Sequence, residues 1–151
     1  MTETIKEIKH YFMTYRNGIV ADTLRSAGMT CYRIIFGLNV PQLAEVSRRY
    51  QQSIELAQAL WADKGVRESR LLATYIFPPQ EITFEYACSL VDDLMTNEEA
   101  DMLCFRLLKR LDFAQQIVDH YKDAEAPLQR YCSQMLPVTS HNNDSRYGHT
   151  D

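Results

Sequence analysis

The apolar residues of this chain recur at helical spacing almost from end to end. "TETIKEIKHYFMTYR" puts Ile5, Ile8, Phe12 and Tyr15 on one face, which predicts a helix over 2–16. Thr4 and Glu7 have the spacing of a capping box at its start. Asn17-Gly18 is a break, and "IVADTLRSA" predicts a shorter second helix that Gly28 would close. "MTCYRIIFGLNV" is ambiguous. Its apolar centre could pass for a strand, but one strand would have no partner, so a packed loop or helical turn is expected. Pro41 marks a helix start with Asn39 as its cap, and Ser53 can cap "IELAQALWAD". "VRESRLLATYIF" runs until Pro78-Pro79 stops it. "ITFEYACSLVDDLM", "TNEEADMLCFRLLKRL", "FAQQIVDHY" and "PLQRYCSQML" continue the series, with Thr96 and Glu99 as a second capping box.

About eight or nine short helices joined by short loops predict an all-α protein. Bundle helices tend to be fewer and longer. The expectation is therefore an α-solenoid of stacked antiparallel helix pairs, of the HEAT or armadillo sort. A single helical-repeat domain is expected over 1–136. The polar tail 137–151 has no apolar period and is expected to be disordered.

Composition narrows the function classes. The chain has 151 residues, enough for one core, and no apolar run long enough to span a membrane. "MTETIKEIKHYF" lacks the basic-then-apolar layout of a secretory signal, which predicts a cytoplasmic protein. Cys31, Cys88, Cys104 and Cys132 form no C-x-x-C pair and do not cluster with histidines. They are expected to be reduced thiols, with no metal and no cofactor. The net charge of −4 argues against a protein that coats nucleic acid indiscriminately, but it leaves room for one basic face.

Two stretches carry candidate chemistry. In 96–111 the stripe Ala100, Cys104, Leu107, Leu108 and Leu111 must be buried, which makes Cys104 a core thiol. Arg106, Lys109 and Arg110 sit roughly opposite, either as a solvated face or as a phosphate-contacting patch. Asp101 lies in the first turn at the border of the stripe. In the earlier stretch Trp61 shares a stripe with Ile54, Ala57 and Leu60 and reads as core. Glu68 is placed at a positive helix end, worth roughly a few tenths of a kcal/mol. Arg70 could line a groove or pair with a carboxylate.

The Gly37-to-Pro41 turn, the Leu60-Trp61 pair and the run Glu68-x-Arg70-Leu-Leu-Ala73, followed by "NEEADMLCFRLL", resemble the HEAT-like DNA alkylation repair family. These are alkylpurine DNA glycosylases built as an α-solenoid, and the resemblance covers roughly Phe36 to Tyr121. It implies a basic surface that cradles duplex DNA, with Arg70, Arg106, Lys109 and Arg110 as contacts. It also implies an Asp that assists departure of a cationic alkylated purine. The chemistry is reasonable, because such a base is already a good leaving group and a carboxylate stabilises the sugar cation. The family motif reads Trp-Asp-x-x-Asp, with the second Asp catalytic. Here the segment is Ala100-Asp101-Met102-Leu103-Cys104. Asp101 keeps the first Asp and is the candidate catalytic carboxylate. Cys104 stands where the catalytic Asp belongs, and no Trp follows Trp61. The expectation is a DNA-binding, glycosylase-like protein with weak or lost excision. The alternative is a non-catalytic helical-repeat adaptor that binds another protein.

Overall fold

The computed structural model describes residues 1–136, and the polar tail lies outside them. The described residues hold nine α-helices and no strand. The described residues form two compact units, one over Met1–Glu81 and one that begins at Ile82.

Unit 1 contains α1 (Thr2–Tyr15), α2 (Gly18–Ser26), α3 (Val40–Ser47), α4 (Ile54–Ala62) and α5 (Arg67–Ile76), then a 3₁₀ turn at Pro79–Glu81. Local chemistry sets most of its helix starts. Asn17 accepts from the Ile19 and Val20 N–H groups and so begins α2. Asn39 and Gln42 form a full capping box on α3, with Pro41 in its first turn, where its missing N–H costs nothing. Ser53 caps α4. The capping box expected from Thr4 and Glu7 does not form. The helix already begins at Thr2, so Thr4 lies inside it and its hydroxyl has no free N–H to cap. Glu7 instead accepts from the Tyr50 hydroxyl at 2.6 Å.

The ambiguous stretch 29–39 is a packed loop. It touches the start of α5 through one parallel bridge, Ile34 to Val66, with Ile34 N–H donating to Gly65 O (2.9 Å) and Arg67 N–H to Ile34 O (3.1 Å). Tyr32, Ile35 and Leu38 are buried, so the loop closes one side of the core that Phe12, Leu43, Leu60 and Leu72 fill. Trp61 belongs to the same core and meets Phe77 edge-on at 6.3 Å.

Unit 2 contains α6 (Phe84–Asp92), α7 (Asn97–Arg106), a 3₁₀ turn at Leu108–Arg110, α8 (Ala114–Tyr121) and α9 (Pro127–Met135). The helix expected across 96–111 is shorter than its periodicity suggests. Leu107 leaves helical geometry (φ −124, ψ −61) and the chain tightens into the 3₁₀ turn. Three-residue stacking then places Leu108 and Leu111 on one side, and the whole predicted stripe, Ala100, Cys104, Leu107, Leu108 and Leu111, is buried. Thr96 accepts from Glu99 N–H at 3.0 Å, while buried Glu99 reaches back to the Met95 N–H at 2.9 Å. No helix among the described residues is long and apolar enough to cross a membrane.

Candidate nucleic-acid interface

The motif residues of unit 1 hold its fold together. Glu68 is fully buried and accepts from three consecutive backbone N–H groups: Phe36 (2.9 Å), Gly37 (2.9 Å) and Leu38 (3.3 Å). Arg67, also buried, donates to Glu68 at 2.6 Å and to Leu38 O at 3.1 Å. The turn that presents these groups needs Gly37. Its φ is +91, and a Cβ there would run into the Asn17 carbonyl. Arg70 is fully buried. Its guanidinium lies 3.6 Å over the Trp61 ring and donates to Trp61 O at 2.8 Å. The structure therefore places Arg70 inside unit 1, where its planar group ties α5 to α4 by stacking and hydrogen bonding.

The chemistry-bearing positions of unit 2 follow α7. Asp101 is half-buried and accepts from the Tyr131 hydroxyl of α9 at 2.7 Å. That hydrogen bond to the carboxylate, with some burial, raises the Tyr131 pKa and keeps the phenol protonated. One turn on, Cys104 is 1% exposed. Its Sγ donates to Cys132 O at 3.3 Å and sits 3.4 Å from Cys132 Sγ. Hydrogen bonding to Cys132 and then burial push the Cys104 thiol well up, so it stays neutral. Cys104 is thus an uncharged thiol packed between α7 and α9. Thr96, Asn97, Arg130 and Tyr131 help line an open cleft of about 530 Å³.

The three basic residues of the 106–110 segment fall together around the end of α7. Lys109 and Arg110 are exposed, and Arg106 is half-buried. Arg110 Nε donates to Arg106 O at 2.9 Å, which holds the two side chains' backbones in one turn. Leu107, Leu108 and Leu111 are buried while Lys109 and Arg110 stay exposed, and Arg106 is half-buried with its Nε inside. Sequence reasoning missed Phe105. It is 56% exposed, and the Lys109 ammonium lies 4.0 Å from its ring centroid. The signal was available, because a large aromatic outside the apolar stripe has no core to fill. Among the described residues, no three His, Cys, Asp or Glu side chains come together as a metal site would need.

The DNA alkylation repair enzyme family model matches residues 6–136. No curated protein matches the chain. The chain is similar to a solved structure described as "A new family of proteins related to the HEAT-like repeat DNA glycosylases with affinity for branched DNA structures". The TM-score is 0.77 at 16% identity, over 87% of this chain and 55% of that one. The chain thus spans about half the length of the structure it matches, and at this identity the likeness shows an all-α fold of the HEAT-like repeat class.

Proposed function

The chain belongs to the DNA alkylation repair enzyme family, and from that premise we propose that it binds duplex DNA through Arg106, Lys109 and Arg110 while its alkylpurine excision is weak or lost. One observation carries this reading. Cys104, which the resemblance aligns with the family's catalytic carboxylate, is a buried neutral thiol hydrogen-bonded to Cys132, while Lys109 and Arg110 after it are exposed. A cationic leaving base needs a negative charge beside the sugar. The Cys104 thiol supplies none. Asp101 is a carboxylate three residues before Cys104 on α7, and the Tyr131 hydroxyl already engages it.

The basic segment suits phosphate contact. Exposed guanidinium and ammonium groups pay little to leave water for phosphate and release condensed counterions as they do so. The matched structure's described affinity for branched DNA agrees with a nucleic-acid role for this fold. A reducing, cytoplasmic setting goes with the reading as well, since Cys104 and Cys132 stand close together as free thiols.

The test is duplex binding measured across a salt series. Three phosphate contacts predict a slope of log affinity against log salt of about −2 to −3. Affinity that ignores salt, or no binding at micromolar protein, would overturn the reading and favour the protein-adaptor alternative.

A further inference from the structure

We propose that Phe105, with Lys109 beside it, is a stacking platform for an unpaired base, so that this surface prefers DNA with unpaired nucleotides to plain duplex. The proposal rests on the DNA-binding reading above and assigns that surface its substrate class.

The argument begins with a misplaced ring. α7 buries Ala100, Met102, Leu103 and Cys104, and Leu107 follows them inward. Phe105 lies outside this stripe with 56% of its surface open to solvent. It adds nothing to the core, and an exposed phenyl ring is unfavourable in water unless something covers it. The Lys109 ammonium, one turn later, lies over the ring at 4.0 Å from its centroid. That contact places a cation against the ring and holds it beside Arg106 and Arg110.

A single-stranded nucleotide matches this pairing of groups. Its base offers a flat π-face to the ring, and its phosphate offers a negative charge to the ammonium beside it. Proteins that hold single strands combine these same two elements, a cationic track and aromatic stacking. In plain duplex the bases are stacked on each other and only the phosphates are available, so duplex would use the cations and leave Phe105 idle. An apolar protein partner fits less well, because covering Phe105 would also strip water from Lys109 and Arg110 with no compensating charge. Two carboxylates flank this segment in sequence, Asp101, which accepts from the Tyr131 hydroxyl, and the exposed Asp112.

The test compares three fluorescent probes at one salt concentration: a plain duplex, the same duplex with a short single-stranded gap, and the same duplex with an unpaired bulge. Binding is measured for the unaltered protein, Phe105→Leu and Phe105→Trp. The ring is exposed, so both variants should fold, and circular dichroism checks that they do. The unaltered protein should bind the gapped and bulged probes about tenfold more tightly than duplex, within the range for losing one stacked base. Phe105→Leu should bring that ratio close to one, and Phe105→Trp should keep or raise it. Duplex binding with no preference for unpaired probes, or a preference that survives Phe105→Leu, overturns the platform alone. No binding to any probe overturns both the platform and the DNA-binding reading beneath it.

Discussion

Replacing Glu68 with alanine is expected to destabilise unit 1 by about 3–5 kcal/mol, the range for removing one partner of a buried ion pair. The carboxylate is fully buried and bonds three backbone N–H groups and Arg67. Alanine would remove the carboxylate that the buried Arg67 guanidinium donates to. It would also strand the N–H groups of Phe36, Gly37 and Leu38 in a turn that Gly37 holds in the left-handed region. The helix-dipole reading of Glu68 predicts an effect roughly tenfold smaller. Urea unfolding followed by helical signal separates the two. With a slope of ~1–3 kcal/mol per molar, the packed-carboxylate account predicts a midpoint lower by about 1–5 M, or no folded protein at all. A variant within ~0.5 kcal/mol of the parent would show that the turn does not depend on Glu68.

The second large effect is on affinity. Arg106, Lys109 and Arg110 replaced together by alanine should flatten the salt slope for duplex by about one unit per residue. At low salt, duplex binding should weaken on the order of 100-fold or more, because each lost phosphate contact also loses its counterion release. Lys109 and Arg110 are exposed, so their double replacement should flatten the slope by about two units and leave unfolding unchanged. Arg106 is half-buried, and the double variant therefore separates charge loss from any packing loss at that position. An unchanged slope in the triple variant would move the DNA contact elsewhere on the chain.

What could be read from the sequence was mostly what a few neighbouring residues decide. Asn39 with Gln42, Ser53 and Thr96 each act on N–H groups within three residues, so their caps show in the sequence as well as in the structure. The stripe that buries Cys104 is local in the same way. The contacts that were hidden join distant residues. Glu68 finds its partners about thirty residues upstream, and nothing in "VRESR" announces that. Arg70 has the residue type of a phosphate ligand. Only the packing of α4 against α5 shows that its guanidinium is spent on Trp61. Cys132 as the partner of Cys104 is likewise a matter of how α7 meets α9.

The family resemblance gains a physical meaning from this. Gly37, Trp61, Glu68 and Arg70 carried it, and all four hold one turn and two helices in place. They mark how the chain folds, and a chain can keep them while its chemistry changes. Cys104 is a different case: its buried thiol packs into the core, leaves the helix intact and offers no charge.

The most direct measurement is release of methylated purines from alkylated duplex DNA, made at protein concentrations where binding to the same DNA has been verified. The account predicts bound DNA with purine release no faster than in the absence of protein. Release well above that background, abolished by Asp101→Asn with binding retained, would contradict it and place an active carboxylate on α7.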